Sequence, residues 1–280
     1  MESKTKRDIV ISFSGGRTSA FMAAFCKEYY KDDNVLVIFA NTGREREETL
    51  EFVDRCDKHF NLGVVWIEAD IKPGKGNGTN FKVVDFETAS RNGEPFKELI
   101  KKYGLPSKLY RHCTRELKET PLRKYAHKHF GHKKWLIALG IRADEPHRVN
   151  RNRKNTLYPL ADINVDEKFI RTWWDKQPFD LQLKDYEGNC DLCFLKSKRK
   201  RLTLISENPD VATWWNEMEK TYATQYKEMF DVRGNTTIED LIKMAQEPFE
   251  RVYDKHDIRK SQCEFDYDLD VEFDCFCKNT

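Results

Sequence analysis

Two short stretches carry residue types suited to a metal centre: Arg111-His112-Cys113-Thr114-Arg115 and Asn189-Cys190-Asp191-Leu192-Cys193. A Cys-x-x-Cys turn lets two sulfurs reach one centre, and a third thiol with a neighbouring imidazole could complete the set. Far upstream, Ser14-Gly15-Gly16-Arg17-Thr18-Ser19 has the chemistry of a phosphate cradle. Glycines permit a tight turn whose successive N–H groups, with the following helix N-terminus, point at an anion, and Ser14, Thr18 and Ser19 add hydroxyls. A plain strand-to-helix turn with a serine cap would read the same way, so the loop needs support from elsewhere. Thiolates beside a phosphate loop narrow the chemistry to few reactions.

The elements that would position these residues alternate. Residues 8–13, 35–40, 64–67 and 135–139 are short apolar or β-branched runs, and 20–30, 47–60, 94–103 and 114–130 have helical periodicity. Alternation of this kind predicts an α/β fold, a Rossmann-like parallel sheet with helices on both faces. Ligands bind such sheets beyond the carboxyl ends of the strands. The turns there are Ser14–Ser19, Asn41-Thr42-Gly43 and Gly140-Ile141-Arg142, so all three would open on one crevice.

Beyond about residue 166 the pattern becomes helical, with 169–176, 198–206, 211–228 and 238–246 expected as helices. The predicted division is a nucleotide-binding α/β domain over 1–165 and a small C-terminal helical region over 166–280 carrying the Cys-x-x-Cys. Val211, Trp214, Trp215 and Met218 form an apolar stripe expected to be core. Segment 72–80, rich in Gly and Pro, is the one stretch that reads as a flexible linker.

The chain has 280 residues, 34% charged and 12% aromatic, with a formal net charge of +2. That composition belongs to a globular protein, not a disordered one. Nothing approaches the ~20 apolar residues of a membrane span, and no signal-peptide core follows Met1, so a cytoplasmic protein without membrane attachment is expected. Eight cysteines in such a chain do not suggest a disulfide framework. Cys26 and Cys56 fall within helical stretches and should be buried small hydrophobes. Cys263, Cys275 and Cys277 bracket residues 264–274, where acidic residues alternate with Phe265, Tyr267, Leu269, Val271 and Phe273. That pattern predicts an edge strand with one acidic face, or a tail able to carry a thiol into the crevice. The basic run Lys196–Arg201 reads as a solvated helix face, with a cluster-side or nucleic-acid contact as the alternatives.

In order and spacing, SFSGGRTS (12–19), FANTGREREETLEF (39–52), CTRELKETPL (113–122), LGIRADEPHR (139–148) and YPLADI (158–163) resemble the phosphoadenosine phosphosulfate reductase family of the adenine nucleotide alpha-hydrolase superfamily. The resemblance covers about residues 8–200. It implies that Ser14, Gly15, Gly16, Thr18 and Ser19 receive the nucleotide's phosphates. Asn41, Thr42 and Gly43 would lie near the adenosine, and Gly140, Arg142 and Arg148 would face a phosphosulfate group, which suits guanidinium forks. It further implies a 4Fe-4S cluster held by Cys113 and, 77 and 80 residues later, Cys190 and Cys193. His112 or a tail cysteine would be the fourth ligand, or the fourth iron would be open; structural zinc is the alternative metal. Two positions depart from relatives: Thr18 stands where ATP pyrophosphatases have Asp, and no Glu-Cys-Gly-x-His segment is present.

The function expected first is thiol-dependent reduction of adenylyl sulfate or 3′-phosphoadenylyl sulfate (PAPS) to sulfite, with thioredoxin or glutathione as reductant. Cys263, Cys275 and Cys277 are the candidate nucleophiles. An ATP-Mg-dependent sulfur transferase acting on a nucleic-acid base is the second reading, the only one that calls for nucleic acid. A nucleotide-binding module with structural zinc is the third.

Overall fold

In the computed structural model, which describes residues 5–74, 76–188, 190–223 and 236–254, six strands form one sheet. They are β1 (Asp8–Phe13), β2 (Asn34–Asn41), β3 (Val65–Ile71), β4 (Thr79–Val84), β5 (Leu136–Ala138) and β6 (Thr156–Leu157), in the order β4-β3-β2-β1-β5-β6. All neighbours are parallel except β3 and β4. The chain steps outward from β1 to β2 and β3, then returns to the other side of β1 with β5. The strand order therefore reverses between β1 and β5, the place where open α/β sheets bind ligands.

Alternate residues of β1 bury on opposite faces. Ile9, Ile11 and Phe13 pack with helices α1 (Arg17–Tyr29) and α2 (Glu47–Phe60), while Val10 packs with α4 (Thr120–Phe130), following α3 (Glu94–Tyr103). Both faces are thus covered by helices. After α5 (Pro159–Asp162) come α6 (Glu167–Trp174), α7 (Lys198–Glu207), α8 (Asp210–Tyr222) and α9 (Ile238–Gln246). Asp166 caps α6 and a Thr237/Asp240 capping box starts α9, which sets both boundaries.

Hydrophobic packing runs across the boundary expected near residue 165. Phe96, Leu99, Ile100 and Leu117 share a cluster with Leu202, Trp215, Met218 and Leu241, while Ile170 and Trp174 join the cluster on α1 and α2. The stripe on α8 is core, as its spacing suggested: Val211, Trp215 and Met218 are buried and Trp214 is packed against them.

Two expectations change. Segment 72–80 is not a linker between units; it turns β3 back and begins the antiparallel β4, and Lys102 donates to the carbonyls of Lys72 and Asn77. The helix expected over 114–130 begins with a wide π turn at Thr114–Glu119, in which the Thr120 N–H reaches back to the Arg115 carbonyl. Pro121, with no N–H to give, follows at once, and α4 resumes the normal register. The tail strand over 264–274, with Cys263, Cys275 and Cys277, lies outside the described residues, as do residues 224–228 of the helix expected over 211–228.

Candidate functional site

The loop leaving β1 is pinned by its own hydroxyls. Ser19 Oγ donates to the Gly16 carbonyl at 2.9 Å, accepts from the Ser14 N–H at 3.2 Å and lies 3.0 Å from Ser14 Oγ. Gly15 adopts φ +84° and packs so tightly that a Cβ there would stand 2.6 Å from Thr49 Cγ2. Gly16, by contrast, has nothing within 4 Å of such a methyl, so the loop presents open space on that side. Arg17, within the motif, turns away from the loop. Its guanidinium binds Asp180 at 2.7 Å and the Leu181 carbonyl at 2.6 Å, tying the β1 turn to the chain after α6.

On the β5 side, Gly140 lies against Ser19, and a Cβ there would be 3.4 Å from Ser19 Cα. Arg142 donates to Thr18 Oγ1 at 3.3 Å, which joins the two loops. Its guanidinium also meets Asp144 at 3.0 Å, Glu145 at 3.9 Å and Glu167 at 3.8 Å. Burial works against the Arg142 charge, but these carboxylates outweigh it and hold its pKa above the ordinary value. Arg148 is buried and paired with Glu145.

The turn after β2 is built on buried carboxylates that the sequence did not advertise. Asn41 donates to Glu68 at 2.6 Å and accepts from the Gly43 N–H at 3.1 Å. Glu68 is fully buried, yet also takes the Ser90 N–H at 2.6 Å and Lys82 at 2.7 Å. Thr42 gives its N–H and hydroxyl to Glu45 and lies 3.8 Å from Cys190 Sγ. The same turn is stitched to the cysteine segment: Glu45 bridges Cys190, the Asp191 N–H donates to the Arg44 carbonyl at 3.0 Å, and Arg46 pairs with Glu187 at 3.2 Å. Asp191 completes the clamp, accepting from the Trp215 indole at 2.8 Å while Arg44 binds it and stacks 4.8 Å over Trp214.

Cys113, Cys190 and Cys193, distant in sequence, are each buried and line one small cavity with Thr42, Phe96, Thr114, Lys118, Phe194 and Trp215. The Thr114 hydroxyl there is buried without a hydrogen-bond partner. His112 does not line the cavity; its ring stacks between Tyr103 at 5.3 Å and Tyr110 at 6.1 Å. Among the described residues no three His, Cys, Asp or Glu side chains form a group that could hold a metal ion. Cys26 and Cys56 are fully buried in α1 and α2, where desolvation raises both thiols, Cys26 to about 12. In the basic run 196–201, Arg201 is buried and Lys196 donates to the carbonyls of Tyr186 and Gly188, so it is only in part a solvated face.

Glu45, Glu68, Asp191 and Lys118 escaped the sequence reading. The one available signal was Glu68, an acid inside an otherwise apolar strand, which is costly unless hydrogen-bonded.

Residues 8–87 match the model of the phosphoadenosine phosphosulfate reductase domain. The chain is 33% identical over 249 residues to "Uncharacterized nin region protein ORF290" of Escherichia phage lambda, covering 85% of both chains. It is 25% identical over 236 residues to "Uncharacterized protein MJ0066" of Methanocaldococcus jannaschii, covering 80% of this chain and 44% of that one. An NH3-dependent NAD synthetase structure from Campylobacter jejuni aligns at 16% identity with a TM-score of 0.35, over 87% of this chain and 83% of the other. No helix among the described residues is long and apolar enough to cross a membrane.

Proposed function

The chain belongs to the phosphoadenosine phosphosulfate reductase family, and on that premise we propose that it binds an adenine nucleotide where β1 meets β5 and performs sulfur chemistry at the Cys113/Cys190/Cys193 cavity. The observation that supports this is Thr42: its turn follows the carboxyl end of β2, beside the β1 turn where the phosphates are proposed to rest, and its hydroxyl lies 3.8 Å from Cys190 Sγ. Crevice and thiols thus share a wall. In this reading the nucleotide's phosphates rest on Ser14, Gly15, Gly16, Thr18 and Ser19, with the adenosine beside Asn41, Thr42 and Gly43. Gly140, Arg142 and Arg148 hold the far end.

The donor chemistry of the cavity, three thiols on one wall, suits an iron–sulfur cluster, although as they stand the three side chains do not form a metal-holding group. Soft thiolates suit iron and sulfide, and the partnerless Thr114 hydroxyl on the same wall could donate to an enclosed anionic group. Cys113, Cys190 and Cys193 would be its protein ligands, Lys118 would offset its charge, and the bound group would tune the electrostatics of the crevice. Zinc would need a fourth donor closing a tetrahedron, a place that His112 does not take.

The reaction put first is reduction of adenylyl sulfate or its 3′-phosphorylated form. A thiolate, with Cys263, Cys275 and Cys277 as candidates, attacks the sulfate sulfur; the S–S bond forms, the S–O bond to phosphate breaks, and the adenosine phosphate leaves. A thiol of thioredoxin or glutathione then attacks the protein sulfur; sulfite departs with the electron pair, and two thiols have become one disulfide. The observed ion pairs favour a second reading, ATP-dependent thiolation of a nucleic-acid base. Arg142 and Arg148 are already neutralised by Asp144, Glu145 and Glu167, which suits a magnesium-bound nucleotide better than a bare sulfonucleotide. There ATP adenylates the base carbonyl oxygen with loss of pyrophosphate, and a sulfide displaces AMP.

Turnover separates the readings. Sulfite and AMP formed from adenylyl sulfate with a dithiol establish reduction; pyrophosphate from Mg-ATP, stimulated by RNA or DNA, establishes thiolation. Nucleotide binding without either product would leave only a binding module, and no binding of either nucleotide would refute the proposal.

A further inference from the structure

The most unusual surface outside the nucleotide crevice is the segment leading into Cys113. Residues 97–118 hold seven Lys or Arg against two Glu, a sharp concentration of charge in a chain whose formal net charge is only +2. Within it three aromatic rings are nearly parallel. His112 stacks with Tyr103 at 5.3 Å and 24°, and with Tyr110 at 6.1 Å and 16°. Cations flank the stack: Lys102 Nζ lies 5.2 Å and the Arg115 guanidinium 5.9 Å from the Tyr103 ring. Tyr110 is 47% exposed and Leu109 67% exposed, so the outer end of the stack is open to solvent. Arg111, between Tyr110 and His112, has Nε and Nη2 shielded from water without a hydrogen-bond partner. Those two nitrogens lie beneath the surface, so Arg111 adds positive charge under the stack rather than an exposed donor.

We propose that the Tyr103, His112 and Tyr110 rings, with Lys102, Lys108, Arg111 and Arg115, form a docking surface for a single-stranded nucleic acid. Parallel rings offer a base a π-face to continue the stack, and the surrounding cations match a phosphate backbone, the two components of sequence-tolerant single-strand binding. Duplex bases keep their faces covered and cannot use the ring stack. An acidic peptide would satisfy the cations but leave the rings unused. The surface adjoins the cysteine cavity, because Cys113, Thr114 and Lys118, which line that cavity, follow closely after His112. It stands whichever sulfur reaction proves correct, since binding is read without turnover.

The test is fluorescence anisotropy of a labelled single strand of about twelve nucleotides, within the site sizes of single-strand binders, as RNA and as DNA, with the full chain. Wild type is expected to bind at low salt. Tyr110→Ala is expected to weaken binding about five- to hundredfold, the range for loss of one stacked base, while Tyr110→Phe restores it. Lys108→Ala should lower the slope of log affinity against log salt by about 0.7, one phosphate contact on a single strand. The double variant Lys198→Ala/Lys200→Ala, on the other basic run, should bind as wild type does. The proposal is overturned by absence of wild-type binding, by a Tyr110→Ala variant that binds normally, by equal affinity for duplex, or by poly-glutamate that binds in a Tyr110-dependent way. Tyr110 is exposed at the surface, and matched melting curves for Ala and Phe variants distinguish lost stacking from misfolding.

Discussion

Adjacent glycines in the β1 turn should respond in opposite ways to the same methyl group. Gly15 has φ +84°, and its added Cβ would lie 2.6 Å from Thr49 Cγ2 and 3.3 Å from both Phe39 and Val53. The left-handed backbone costs about 1–2 kcal/mol for an L side chain. Forcing the methyl against α2 adds about 1–3 kcal/mol of overpacking. Gly15→Ala should therefore lose about 2–5 kcal/mol, and at about 2–4 °C per kcal/mol its melting temperature should fall by at least about 4 °C. Gly16 is extended at φ −95° and ψ 161°, caps α1, and has nothing within 4 Å of the place its methyl would take. Gly16→Ala should cost under about 1 kcal/mol, yet place a methyl where the phosphates are proposed to approach the backbone. Calorimetry and adenine-nucleotide titration of both variants check this, with an affinity loss of about tenfold or more, some 1.4 kcal/mol, expected for Gly16→Ala. The reasoning fails if Gly15→Ala melts with wild type, or if Gly16→Ala loses stability and keeps its affinity.

Thr42→Val removes the hydroxyl that serves Glu45 and Cys190, so the buried Glu45 carboxylate loses a donor; about 1–3 kcal/mol of stability should go in urea denaturation, and Cys190 should alkylate at a changed rate. Glu68→Gln should likewise cost about 1.5–3 kcal/mol, because Asn41, Ser90 and Lys82 all lean on that carboxylate, and should weaken nucleotide binding through the Asn41 turn. Desolvation lifts Cys26 from 9.0 to about 12, so the folded state holds its proton where the unfolded chain has lost it. Its contribution to stability is complete below about pH 9 and declines as pH rises toward about 12. Urea titrations from about pH 8 to about pH 11 should show that decline, and Cys26→Ala should reduce it, with Cys56, raised by the same desolvation, and Tyr30 and Tyr186, both raised to about 12 chiefly by burial, supplying the remainder.

Local patterning made much of this fold legible. Residues 8–13 are a strand because every second side chain meets a helix on one face or the other, and α2 and α3 begin and end where periodicity says they should. The tight turn after β1 was readable because glycine and hydroxyl chemistry is local. Strand β4 was missed because Gly and Pro in 72–80 signal a turn without revealing that the chain returns to pair. The π turn at Thr114 was hidden because its residues keep an ordinary helical pattern. Non-local partners were beyond any one-dimensional reading: nothing in Arg44 or Glu45 announces Asp191 or Cys190, far along the chain. The cysteine grouping rested on thiol chemistry and on a resemblance, and nothing local to His112 announces its place between two tyrosine rings.

Iron and acid-labile sulfide content after anaerobic purification tests the central claim most directly, measured on the wild-type chain and on Cys113→Ala, Cys190→Ala and Cys193→Ala. About four irons and four sulfides per chain, lost in each variant, are expected for a cluster held by the shared cavity. One zinc without sulfide, or a metal content untouched by any of the three substitutions, would contradict it.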